Sequence, residues 1–201
     1  MKTSFFAFLA LFITLLIPVY AEDSQVQALD SNKDGAGWWP VLQLVLWPGM
    51  PPYTDKEVYG MRTGFPLSGG TGAVYGMELT PFVCYSDYVY GLQISPFFNH
   101  TKATNGFRCA LANASTEKVK GLQLSTFNYN TKDSDSIDIA FFANITSNYM
   151  RGIQVAIVNY AAKSAIQIGV YNQSKTHAFQ LGVFNIIEEG YVPFFPVINF
   201  W

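Results

Sequence analysis

A few short groupings have residue types and spacings that could do chemistry. Asp30-Ser-Asn-Lys-Asp-Gly35 matches the first half of a calcium loop. Asp30, Asn32 and Asp34 would supply alternating oxygen ligands there, and Gly35 the sharp turn. The bidentate acid that completes such a loop belongs at position 41, which is Val41, so a plain turn is the better expectation. Asp133, Asp135 and Asp138 could gather carboxylates, but a solvated corner is the simpler reading. His100 and His177 have no Cys or acidic partner at metal-ligand spacing and no nucleophile in recognisable relation to them, and no Gly-x-Ser-x-Gly elbow occurs. The sequence thus predicts no catalytic residue, no cofactor, no small-molecule substrate and no enzymatic activity. Asn99-His-Thr, Asn113-Ala-Ser, Asn144-Ile-Thr and Asn172-Gln-Ser fit the glycosylation pattern, yet each falls where a repeat ends in Asn.

That repeat is what must position everything else. Gly121-Leu-Gln-Leu-Ser-Thr-Phe-Asn128, Gly152-Ile-Gln-Val-Ala-Ile-Val-Asn159, Ala165-Ile-Gln-Ile-Gly-Val-Tyr-Asn172 and Ala178-Phe-Gln-Leu-Gly-Val-Phe-Asn185 are its clearest copies. The first apolar residue of successive copies falls at Met61, Met77, Leu92, Phe107, Leu122, Ile137, Ile153, Ile166 and Phe179. A short fixed period means one small unit stacked on itself. Within a copy the residues sort by parity, as on a strand: Ile166, Ile168 and Val170 share one face, and Gln167 lies on the other. The apolar face is expected to be buried, with Gln93, Gln123, Gln154, Gln167 and Gln180 pointing away from it. Those Gln side chains read as an amide ladder along the stack, each bonding its neighbour one strand away, with a binding surface as the alternative. Arg62, Glu78, Arg108 and Asp138 interrupt this column. The segments between copies, rich in Asn and Gly, are expected to be turns, with Asn taking left-handed corner angles.

The 201-residue chain is 50% hydrophobic and 16% aromatic, enough for one ordinary domain. Residues 1–21 read as a secretory signal: Lys2, an apolar run from Phe5 to Val19, then Val19-Tyr20-Ala21 before the cut. Residues 22–36 read as a flexible lead-in, 37–57 as an aromatic and Pro-rich N-terminal cap, 58–189 as the repeat array and 190–201 as a C-terminal cap. The slight net negative charge, −2 for the whole chain, argues against nucleic acid as a partner.

The pattern Gly-φ-Gln-φ-small-φ-φ-Asn, where φ is apolar, resembles the bacterial surface-repeat family of the leptospire type. Val58-Tyr-Gly-Met61, Val74-Tyr-Gly-Met77, Val89-Tyr-Gly-Leu-Gln-Ile94 and Pro193-Phe-Phe-Pro-Val-Ile-Asn-Phe200 carry the likeness beside the copies above. The resemblance spans roughly residues 37–201. It implies an exported protein of the periplasm, outer membrane or cell surface, and assigns no site residue.

The fold expected is all-β, a β-solenoid of about nine short coils with aromatic terminal caps. The alternative is a small up-and-down β-barrel in the outer membrane, a pore or anchor. In a solenoid like residues stack about 4.8 Å apart. Cys84 and Cys109, read as two coils apart with Cys84 in a turn, would be too distant to bond. The interaction candidates are Trp38, Trp39, Trp47, Phe194, Phe195 and Trp201, terminal aromatics of the kind preferred where one side is apolar and the other wet. A membrane surface or another envelope protein is the partner they would meet.

Overall fold

The computed structural model describes residues 41–46 and 55–200. The strands of the N-terminal half are β1 (Leu42–Val45), β2 (Met61–Gly64), β3 (Leu67–Gly70), β4 (Val74–Leu79), β5 (Val83–Ile94) and β6 (Phe98–Cys109). Then come β7 (Ala112–Ser115), β8 (Val119–Asn130), β9 (Ser134–Val155), β10 (Val158–Ile168), β11 (Tyr171–Ser174), β12 (Phe179–Ile187) and β13 (Phe194–Phe200). Every pairing from β1 to β12 is parallel, and like residues stand directly above one another: Met61, Met77, Leu92, Phe107, Leu122 and Ile137 form one register, Ile153, Ile166 and Phe179 another. The chain is a β-solenoid of about nine coils. The barrel alternative falls here, because successive barrel strands would run antiparallel.

Each coil has two strand segments. In the coil from Phe98 to Cys109, segment A is Phe98–Thr101, with Asn99 facing inward, and segment B ends Phe107-Arg108-Cys109, with Arg108 facing inward. The stretch from A to B contains a glycine that turns the chain. Gly76, Gly91, Gly106 and Gly121 stack with φ between +114° and +148°, and a Cβ at any of them would meet the carbonyl of the glycine one coil earlier. Only glycine tolerates both conditions. The stretch from B to the next A is short and apolar, as in Pro96-Phe97.

The solenoid is inside out relative to the sequence expectation. Gln123, Gln154, Gln167 and Gln180 have no exposed surface, and Asn144, Asn159, Asn172 and Asn185 likewise have none. Ile168, Phe179 and Leu181 are each about two-fifths exposed. The shared faces of the repeat were read correctly, but the face turned inward is the polar one. The Asn residues are also not corner residues: none has positive φ, and Val197 is the single non-glycine among the described residues that does. They lie inside segment A.

Stacking satisfies most of the polar interior, with Ser164 Oγ, Ser174 Oγ and Gln180 Oε1 left without a partner. Asn99, Asn113, Asn128, Asn144, Asn159 and Asn172 each donate from Nδ2 to Oδ1 of the Asn one coil on, at 2.8–3.1 Å. The second amide proton of most rungs goes to a backbone carbonyl, as from Asn159 to Ile168 O at 2.9 Å. In the Gln column, Gln180 donates to Gln167 at 2.8 Å and Gln167 to Gln154 at 2.9 Å. The amide ladder read from the sequence is present, buried rather than on the surface. A buried amide costs several kcal/mol only when it lacks a partner.

At the C-terminal end β13 runs antiparallel along β12 and lays Asn199 on Gln180. Its register slips between Gly182 and Asn185, opposite Pro196, the irregular edge position where a strand tolerates proline. At the other end Gln43 of β1, inside the segment read as the N-terminal cap, stacks on Arg62 and joins the Gln column.

Candidate interaction surface

The residues that interrupt the Gln column form a charge-balanced chain. From β1 onward the column reads Gln43, Arg62, Glu78, Gln93, Arg108, Gln123, Asp138. All are buried, with two cations and two carboxylates among them. Glu78 accepts from Ser68, Ser86 and Gln93. Arg108 donates to Gln93, Gln123 and the carbonyls of Asn99 and Ala114 at 2.9–3.3 Å. Desolvation lowers the Arg108 guanidinium to about 10 and raises the Asp138 carboxyl to about 6. These are interior structural groups with no opening to solvent.

The other sequence candidates separate. Asp133 and Asp135 lie on the surface, paired with Arg151 and Lys118, whereas Asp138 is buried. The three do not converge, and among the described residues no group of three or more His, Cys, Asp or Glu could hold a metal. His100 is a strand residue, not a turn residue. It stacks on Tyr85 at 4.5 Å and burial lowers its imidazole to about 4. Asn99, Asn113, Asn144 and Asn172 of the glycosylation patterns are all ladder rungs, and Thr101, Ser115, Thr146 and Ser174 are the next inward residues. The Asn-x-Ser/Thr match is thus two successive inward positions of a strand.

Both thiols are free. Cys84 lies in β5, not in a turn, and one coil from Cys109, not two: it stacks below Asn99 while Ile94 stacks below Cys109. It points into the interior and Cys109 outward. Phe194 and Phe195 are half exposed on β13. Trp38, Trp39, Trp47 and Trp201, and the half-loop of Asp30, Asn32 and Asp34, lie outside the described residues.

The largest feature of the exterior was not read from the sequence. Surface charge is confined to one long edge: among the described residues, every Asp, Glu, Lys and Arg outside the Gln column lies in the stretch from segment A to the glycine position. Lys102–Asp87, Lys118–Asp135 and Arg151–Asp133 bridge coils along it. The opposite edge, between segment B and the next segment A, carries Phe65, Phe82, Phe97, Leu111, Phe142 and Val183, each 40–66% exposed. Stacked rings run along it, Phe82 on Phe97 at 5.7 Å and Phe127 on Phe142 at 5.5 Å. The outward residues of both strand segments are mostly apolar as well, among them Ile137, Ile139, Phe127 and Phe184. Soluble monomers rarely expose a continuous apolar surface of this extent.

The geometry defines a β-solenoid with a polar, hydrogen-bonded interior and an apolar exterior. Comparison with family models, characterised proteins and solved structures gives no match to the chain, so every functional reading rests on its own residues.

Proposed function

We propose that the chain is a non-enzymatic, exported repeat protein of the cell envelope or cell surface that acts through its outer surface in a structural or interaction role. One observation carries the reading: the apolar residues flanking the Gln column face outward over many coils, while the Asn and Gln of the repeat are used up inside. A chain that must stay dispersed in water gains nothing from that arrangement; a chain whose surface is covered by a partner does. The secretory-type start at residues 1–21 and the likeness to surface-repeat proteins support the same reading. Most of the buried polar groups have structural partners, and Asp87, Asp133 and Asp135 are paired with basic side chains, which supports a structural use of them over a catalytic one.

Fractionation of the producing cells tests it. The mature protein is expected in the envelope fraction, beginning after Ala21 by N-terminal sequencing. Recovery in the cytosol with residues 1–21 retained would overturn the proposal.

A further inference from the structure

Building on that contact surface, we propose that what covers it is lipid: the solenoid lies along a membrane with its Phe-lined edge and both flanking strand faces sunk in the hydrocarbon of one leaflet, and its charged edge among the headgroups.

Three features point to lipid rather than to a second copy of the chain. The first is the extent of the apolar surface, which wraps one edge and the two faces beside it. A flat partner covers one side of such a body, whereas a fluid leaflet covers all three. The second is the sorting of the aromatic residues. Phe65, Phe82, Phe97, Phe98, Phe127 and Phe142 lie on or beside the uncharged edge. Tyr59, Tyr75, Tyr85, Tyr90, Tyr129 and Tyr149 lie on or beside the charged one. Phe107, Phe179 and Tyr171, and Phe194 and Phe200 on β13, depart from this division. Phe has no polar atom to hydrate, while Tyr is amphipathic and prefers the interface between water and hydrocarbon. Tyr59, Tyr75 and Tyr90 stack as a band at 4.9–5.0 Å.

The third is backbone satisfaction and size. Along its length a solenoid pairs its backbone groups with the coils on either side, which is the condition for contact with hydrocarbon. A four-residue strand wall is about 13 Å high at roughly 3.3 Å per residue. One leaflet offers about 15 Å, half of a hydrocarbon core of about 30 Å. The body therefore fits one leaflet and is too shallow to span two.

Flotation of the purified mature protein with phosphatidylcholine vesicles tests this. The wild type is expected to float with the vesicles. It should still float at about 1 M NaCl, where the Debye length is about 3 Å, because the edge carries mixed charge and attraction to headgroups is not what holds it. Phe82→Glu/Phe97→Glu/Leu111→Glu adds charges at exposed positions of the apolar edge, and it should keep its circular dichroism spectrum and lose most of its flotation. Thr116→Glu, on the charged edge, should float like wild type. Folded wild type that stays with the soluble fraction overturns the proposal, including the case where it forms a dimer that the triple variant dissociates. Should the triple variant not fold, an environment-sensitive dye on Phe97→Cys or Lys102→Cys, in a Cys109→Ser background, decides. A blue shift with vesicles at 97 alone supports leaflet insertion, and equal responses at both positions overturn it. A negative result here leaves envelope fractionation untouched, so the two proposals fail separately.

Discussion

Arg108 and Asp138 stand two coils apart inside the solenoid and are joined by one side chain: Arg108 Nη1 donates to Gln123 Oε1 at 3.3 Å, and Gln123 Nε2 donates to Asp138 Oδ1 at 2.8 Å. The two charges compensate each other, and neither side chain has exposed surface. Arg108→Gln would leave the carboxylate without its counter-charge and some of the four acceptors of Arg108 without a donor. Breaking a buried pair in this way costs about 3–5 kcal/mol. Adding Asp138→Asn to that variant removes the orphaned charge and should recover part of the loss. Denaturant melts at neutral pH of both variants check the expectation.

The same carboxyl sets a pH dependence. Burial raises Asp138 to about 6 from the usual 3.8, so the folded chain binds its proton more tightly than the unfolded chain does. Stability from this group is therefore present in full below pH 3.8 and lost as pH rises toward 6. It amounts to about 3 kcal/mol at 1.36 kcal/mol per pH unit. Between those limits the stability of wild type relative to Asp138→Asn should fall as pH rises. A constant difference in melting temperature would show that Asp138 is not desolvated.

Thiol labelling separates the two cysteines. Cys84 has no exposed surface, and burial drives its thiol well above the usual range, whereas Cys109 is partly exposed on the outer face. Maleimide added to the native protein is expected to modify Cys109 within minutes and to leave Cys84 until denaturant is added. Rapid modification of both would contradict the inward position of Cys84.

Much of the fold was legible because a stacked coil copies its register into the sequence. The spacing from Met61 to Phe179 located the rungs, and period-two alternation marked them as strands. Alternation shows which residues share a face, not which face turns in. The ordinary rule that apolar residues go inside chose wrongly for Ile168 and Gln167. It prices a buried amide as unpaired, while in a parallel stack every Asn meets an identical Asn one coil away. The same omission sent the Asn residues to corners. Arg62, Glu78, Arg108 and Asp138 looked like degenerate copies for a related reason, since their balance shows only when the column is read in coil order. The charged edge and the Phe edge were hidden because each coil contributes only a few residues to either, separated along the chain by a full period. Of the named interaction candidates, Phe194 and Phe195 are half exposed, and they are a small part of an apolar surface that runs the length of the array.

The inverted core is tested most directly by the thermal midpoints of two neighbouring variants in buffer, Gln167→Leu and Ile168→Asp. Gln167 donates to Gln154 and accepts from Gln180, so Gln167→Leu breaks the ladder and leaves buried amide groups unpaired, at about 1–3 kcal/mol each. Ile168 is 38% exposed on the outer face, so Ile168→Asp should cost only about 1 kcal/mol, from strand propensity and cross-strand contacts. Gln167→Leu is expected to melt well below Ile168→Asp. An Ile168→Asp protein that unfolds while Gln167→Leu melts like wild type would put the apolar face inside and contradict the inverted core.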